Sequence, residues 1–167
     1  MLALALLGFV TLQRLAELAH ARRNTRRLLA EGAIEIGARH YPFLVVLHTA
    51  WLATSWLWLL DGRAVFWWPA GIAYLIVEAM RLWVMASLGR FWTTRILVPR
   101  EAPLVRRGPY RYLQHPNYWV VVFEIALLPL ALGAWPLALA FSVANAIVLA
   151  WRIHIENTTL RPRRHIA

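Results

Sequence analysis

The sequence contains no cysteine, which excludes a disulfide framework, a thiolate nucleophile and any zinc or iron–sulfur site built on thiolates. Lysine is absent as well. All 18 basic residues are arginine, a pattern of base composition to which we attach no mechanism. Charge is scarce: 16% of residues are charged against 60% hydrophobic, with a mean hydropathy of +0.52. An ordinary soluble domain carries more charge than this, so the apolar residues are expected to face lipid.

A bilayer core about 30 Å thick needs roughly 20 helical residues per crossing, so 167 residues suffice for about five crossings and their loops. No separate soluble domain fits. The expected organisation is one membrane domain over 1–167, with three spans in 1–88 and a loop, a helical hairpin and a tail in 89–167. The net charge of +10 and pI near 11.5 would suggest nucleic acid in a soluble protein. Here the arginines lie between apolar runs, and the partner they imply is membrane lipid, not nucleic acid.

Five apolar runs occupy 2–18, 41–60, 64–88, 118–132 and 135–151, and their lengths favour helices over strands. The first lacks the basic leader of a signal peptide, so a retained helix is expected. Asp61-Gly62-Arg63 and Gly133-Ala134-Trp135-Pro136 are tight turns, which makes hairpins of spans two and three and of spans four and five. The remaining connections are long and basic. Five arginines follow span one (Arg22, Arg23, Arg26, Arg27, Arg39), six follow span three (Arg90, Arg95, Arg100, Arg106, Arg107, Arg111), and four follow span five (Arg152, Arg161, Arg163, Arg164). The opposite side has only Arg63. The positive-inside rule then predicts an all-α integral membrane fold of about five transmembrane helices, with its N-terminus outside and its C-terminus cytoplasmic in a bacterial inner membrane. Span four is short, and a cavity is expected near the last hairpin. Tryptophans near run ends, such as Trp67, Trp68 and Trp135, suit interfacial anchoring.

The stretch 104–118, Leu-Val-Arg-Arg-Gly-Pro-Tyr-Arg-Tyr-Leu-Gln-His-Pro-Asn-Tyr, runs from the long basic loop into span four. Its structural account is a turn at Gly108-Pro109, a helix start at Pro116, and arginines on head groups. Its functional account is a helix N-terminus flanked by imidazole and phenol groups, which offers donors to an anionic group. Both stay open. On span five and its extension, Asn145, Leu149, Arg152, Glu156 and Leu160 fall on one helical face. Arg152 and Glu156 could satisfy each other one turn apart. Asn145 lies deeper on the same stripe, which suggests a polar channel entering from the cytoplasm. Glu124 shares a face with Asn117 and is expected to point into the bundle, while Glu78 and Arg81 at i,i+3 are expected to neutralise each other. His48 and His154 have no ligand spacing, so no metal site is expected.

Together the two constellations resemble the isoprenylcysteine carboxyl methyltransferase family of integral membrane enzymes. That family joins Gly-x-Tyr-x-x-x-Arg-His-Pro-x-Tyr, through a hydrophobic hairpin, to Arg-Ile-x-x-Glu-Glu-x-x-Leu. The first motif appears here over Gly108 to Tyr118 and the second over Arg152 to Leu160. Gln114 replaces the family arginine and Asn157 its second glutamate. The resemblance covers roughly the C-terminal 65 residues and implies S-adenosylmethionine as cofactor, bound in a cytoplasm-facing pocket. His115, Tyr118 and Glu156 are the implied cofactor contacts, with Tyr110, Pro116 and the chain at Leu104 and Val105. Arg152 and Glu156 are the implied catalytic pair, Arg152 positioning the acceptor. Asn145 and Glu124 are the expected substrate contacts. The acceptor implied is a lipophilic small molecule, a prenylated carboxylate or the hydroxyl of an alkylpyrone or alkylresorcinol. Three other readings remain: a phospholipid N-methyltransferase, an NADPH-dependent reductase resembling the sterol reductases, and a non-enzymatic membrane scaffold.

Overall fold

The computed structural model describes residues 1–99 and 105–164, with side chains through Thr158. Leu104 and the side chain of Leu160 therefore lie outside the described residues. Five long helices dominate: α1 (Leu2–Ala30), α2 (Tyr41–Leu60), α3 (Trp68–Leu88), α4 (Pro116–Ala131) and α5 (Trp135–Arg164). Four of them are long and apolar enough to cross a membrane, and α4, at 16 residues, is the short apolar one.

The first helix corrects one expectation. At 29 residues and 1.5 Å per residue it is about 43 Å long, so its C-terminal part extends past a core about 30 Å thick. The arginines of 22–27 thus sit on helix where a basic loop was expected. Ala21, Asn24 and Leu28, spaced three and four apart, are buried on one face of this extension. The amide of Asn24 donates to the carbonyls of Gly89 (3.2 Å) and Trp92 (2.9 Å), which ties the extension to the loop after α3.

The fold is that of an all-α integral membrane protein, with one small addition outside the helices. The loops after α1 and α3 pair as a two-stranded antiparallel sheet, β1 (Ile34–Ile36) and β2 (Ile96–Val98), in register Ile34 to Val98 and Ile36 to Ile96. The triplets Ile-Glu-Ile and Ile-Leu-Val are rich in β-branched residues, which suit a pleated strand. Arg95 reinforces the pairing, with one guanidinium nitrogen contacting both oxygens of Glu35 at 2.8 and 3.0 Å.

The helices joined by the Asp61–Arg63 turn do not pack as a hairpin. Instead α2 lies against α5 and α1, while α3 lies against α4. The linker explains the divergence, because Val65 and Trp67 donate backbone hydrogen bonds to Leu132 and Ala131 and so lead α3 across the end of α4. Helices α4 and α5 do form the expected hairpin. Within α4, Pro129 has no N–H to give to the carbonyl of Ile125. The indole of Trp51, which is 1% exposed, donates to that carbonyl at 3.1 Å and locks α2 onto the hairpin. Leu7, Val10, Tyr74 and Leu128 pack around this junction.

A buried ionic network joins α1, α3 and α4 at membrane depth. Arg81 reaches Glu17 at 2.6 Å and Glu124 at 2.7 Å, and Arg14 reaches Glu17 at 2.8 Å, Glu124 at 2.9 Å and Glu78 at 3.1 Å. Gln13 donates to Glu17 and Glu78. The expected Glu78–Arg81 neutralisation is thus replaced by pairing across helices. Each of the three carboxylates finds a cation on a neighbouring helix, with the two guanidiniums shared among them, and pairing of this kind is what makes buried charge tolerable.

Candidate active site

At the end of the bundle where α1, α3 and α5 finish and α2 and α4 begin, a cavity of about 420 Å³ opens. Its walls come from four places. The tip of α1 and the end of α3 supply Leu28 and Leu88, and the following loop and β2 supply Phe91 and the run from Arg95 to Pro99. The segment entering α4 supplies Val105, Arg106, Tyr110, Gln114, His115, Asn117 and Tyr118. Arg152 and Glu156 on α5 complete it. Of the residues singled out from sequence, Val105, Tyr110, His115, Tyr118, Arg152 and Glu156 all line this one space.

Their geometry centres on the Tyr118 hydroxyl. It donates to a carboxylate oxygen of Glu156 and accepts from Arg152 Nε at 3.0 Å. The turn-spaced pair Arg152 and Glu156 therefore meets through a phenol supplied by α4. The other side of the Arg152 guanidinium donates to the Thr94 carbonyl at 2.8 Å, and the Thr94 hydroxyl lies 3.2 Å from that of Tyr41. The imidazole of His115 stacks on the Tyr118 ring, with centroids 5.1 Å apart and planes at 15°. Its Nδ1 is 3.6 Å from Glu156, and its Nε2–H donates to the side-chain oxygen of Asn157 at 3.3 Å. Asn157, the departure from the family glutamate, thus accepts from the same imidazole without adding charge. Tyr110 is half-buried; burial, reinforced by the nearby Glu156 carboxylate, raises its phenol above the ordinary tyrosine value and keeps it a neutral donor.

Local sequence explains why these groups converge. Gly108 adopts φ +56°, which places Pro109 and Tyr110 in a short 3-10 turn against α3. A Cβ at Gly108 would lie 2.1 Å from the Ser87 hydroxyl, so only glycine allows this approach. Pro116 then starts α4 at its first position, where a missing N–H costs nothing. Pro116 itself is buried and is not part of the cavity wall.

Two expected substrate contacts lie elsewhere. Glu124 belongs to the buried ionic network, held by Arg14 and Arg81. Asn145 is 1% exposed, about two turns deeper on α5 than Arg152, and is absent from the wall. Conversely, sequence reading missed the whole β2 wall, including Arg95, which stacks over Tyr41 at 4.7 Å while pairing with Glu35. Hydrogen bonding to Glu35 raises the Arg95 pKa further above its ordinary value. The strand-like triplets, one containing Glu35 and the other preceded by Arg95, were the available signal. Among the described residues no group of three or more His, Cys, Asp or Glu side chains could hold a metal ion.

Comparison with known proteins agrees with the motif reading. The chain is 39% identical over 160 residues to the uncharacterized protein YpbQ of Bacillus subtilis (strain 168), covering 93% of this chain and 95% of that one. It is 29% identical over 142 residues to an uncharacterized protein of Haemophilus influenzae (strain ATCC 51907 / DSM 11121 / KW20 / Rd), covering 83% of each. No solved structure matches. The model of the isoprenylcysteine carboxyl methyltransferase family matches residues 70–162, which cover nearly all of α3 and of the hairpin and most of the cavity wall, and the chain belongs to that family of membrane methyltransferases.

Proposed function

We propose that this chain transfers a methyl group from S-adenosylmethionine to an anionic oxygen of a small lipophilic acceptor at the cytoplasmic face of the membrane. The observation that carries this reading is the convergence of both motifs on one cavity, where Tyr118 joins Arg152 to Glu156. The residues suit the cofactor. A volume of about 420 Å³ lies within the range of roughly 300–1,000 Å³ typical of ligand pockets, Glu156 offers a carboxylate to a cationic group, and the His115–Tyr118 stack offers an aromatic face.

When bound, S-adenosylmethionine supplies an electrophilic methyl on sulfur: the acceptor oxygen forms a bond to that carbon as the carbon–sulfur bond breaks, its electron pair leaving on sulfur as a neutral thioether. The protein's part is positioning and exclusion of water. Arg152 is fixed by Thr94 and Tyr118, so little reorganisation is needed for it to face an anion. Among the described wall residues, Arg106 and Arg152 accompany the one carboxylate, Glu156, which favours a carboxylate or an ionised hydroxypyrone over an amine acceptor. An ionised acceptor needs no general base. The apolar residues Leu28, Leu88 and Phe91 suit the acceptor's hydrocarbon part. In the sequence, fifteen arginines follow spans one, three and five and one lies on the opposite side, which supports the cytoplasmic orientation.

The test is transfer of a labelled methyl from S-adenosylmethionine by the protein in vesicles to a panel of alkyl-chain acceptors bearing a carboxylate, a hydroxypyrone or an amine. Label entering the oxygen acceptors supports the reading. Label entering only the amine would replace it with an N-methyltransferase, and no transfer with NADPH consumption would replace it with a reductase.

A further inference from the structure

Two residues outside both motifs, and outside the region that the family model matches, converge on the loop that holds Arg152: Glu35 on β1 and Tyr41 at the start of α2. Arg152 donates through one guanidinium nitrogen to the Thr94 carbonyl at 2.8 Å. A backbone carbonyl is only as well placed as the chain around it, and side-chain contacts fix residues 93–95. The Thr94 hydroxyl lies 3.2 Å from that of Tyr41, and the Thr93 hydroxyl donates to the Arg95 carbonyl at 2.7 Å. The Arg95 guanidinium lies 4.7 Å over the Tyr41 ring. Glu35 then clamps Arg95, with both carboxylate oxygens accepting from one guanidinium nitrogen at 2.8 and 3.0 Å. In the strand register Glu35 faces Leu97, so Arg95 is its diagonal neighbour on the same face of the ribbon.

Stability does not account for this clamp. Backbone pairing already sets the ribbon's register, and the Arg95 and Glu35 side chains are 39% and 19% exposed, so an ion pair this open adds little to folding. Its place is what distinguishes it. Arg95 and Arg152 both line the cavity, and Glu35 matches the charge of the first while its neighbour Thr94 aims the second. Resting on the reading of Arg152 as the group that faces the acceptor, we infer that Glu35 is a positioning residue for methyl transfer: through Arg95 and the Thr94 carbonyl it holds the Arg152 guanidinium where it directs an anionic acceptor oxygen at the methyl donor. Transfer of this kind tolerates errors of only roughly 0.5 Å and 10–20° in such a group. A short loop released from its clamp exceeds that. The N-terminal half of the chain, which carries neither motif, thereby takes part in the reaction.

The experiment measures transfer of a labelled methyl from S-adenosylmethionine to an alkyl hydroxypyrone and to a fatty carboxylate by the full chain in vesicles. It compares wild type with Glu35→Ala, Glu35→Asp, Arg152→Met and the double variant Glu35→Ala/Arg152→Met. Glu35→Ala is expected to lower kcat by roughly ten- to a hundredfold. Its affinity for S-adenosylhomocysteine, by calorimetric titration, is expected to stay within about twofold of wild type, with an unchanged unfolding midpoint. Glu35→Asp keeps the carboxylate and is expected to recover part of kcat. In the Arg152→Met background Glu35→Ala is expected to add no further loss, because its effect passes through Arg152. A kcat within about twofold of wild type in Glu35→Ala, a parallel fall in S-adenosylhomocysteine affinity, or losses that multiply in the double variant would each overturn the assignment while leaving the methyl-donor reading intact. A wild type that methylates neither oxygen acceptor would overturn both.

Discussion

Removal of Arg81 is the sharpest perturbation of the fold, because its guanidinium serves two buried carboxylates at once. The network contains two guanidiniums, Arg14 and Arg81, and three carboxylates, Glu17, Glu78 and Glu124. In Arg81→Met one cation is left for three anions. Glu17 and Glu124, whose side chains are 8% and 4% exposed, then share Arg14 with Glu78. Breaking one partner out of a buried pair costs about 3–5 kcal/mol, a loss of roughly a hundredfold to a few thousandfold in the folding equilibrium out of a typical total of about 5–15 kcal/mol. Equilibrium unfolding in mixed detergent micelles, followed by the fluorescence of the ten tryptophans, measures the change. The triple variant Glu17→Gln/Arg81→Met/Glu124→Gln leaves Arg14 matched to Glu78 one to one, and it is expected to recover most of the loss. An Arg81→Met protein within about 1 kcal/mol of wild type, or a triple variant no more stable than the single one, would refute this reasoning.

Three further predictions concern the site. Tyr118→Phe removes the hydroxyl joining Arg152 to Glu156. Losing hydrogen bonds to charged groups should weaken S-adenosylmethionine binding by roughly ten- to a hundredfold, measured by titration of protein verified as folded. Gly108→Ala meets the Ser87 hydroxyl and an unfavourable positive φ, so it should cost about 1–3 kcal/mol. The double variant with Ser87→Gly should recover the steric part in the same unfolding assay. Tyr110 has a raised pKa in the folded state, first through burial and then through Glu156. Its contribution to stability is therefore full below the unfolded value near 10 and falls as pH rises through the folded value. Tyr110→Phe should flatten that alkaline decline in a pH series of unfolding midpoints.

The sequence made the site more legible than the fold around it. Both motifs are local, so the spacing of Tyr110, His115 and Tyr118, and of Arg152 and Glu156, was visible directly, as were the short fourth helix and the hairpin that brings the motifs together. The partners of those residues were not visible. Thr94 fixes Arg152 through a backbone carbonyl, which no side-chain pattern announces. Arg14 and Glu17 sit inside an apolar run, and only the packing of α1 against α3 and α4 assigns their partners. The extension of α1 was hidden because its outer face is arginine, a good helix former that hydropathy alone scores as loop. Strands β1 and β2 are three residues each, too short for periodicity to register. Glu78 and Arg81 show the converse hazard: a sequence-local pairing gave way to better partners on neighbouring helices.

Titration of the detergent-purified protein with S-adenosylmethionine, beside Glu156→Gln and His115→Ala variants that retain wild-type unfolding midpoints, tests the central claim most directly. The account predicts saturable binding by wild type, strongly weakened in both variants. Absence of binding by wild type, or affinity left unchanged by both substitutions, would contradict it.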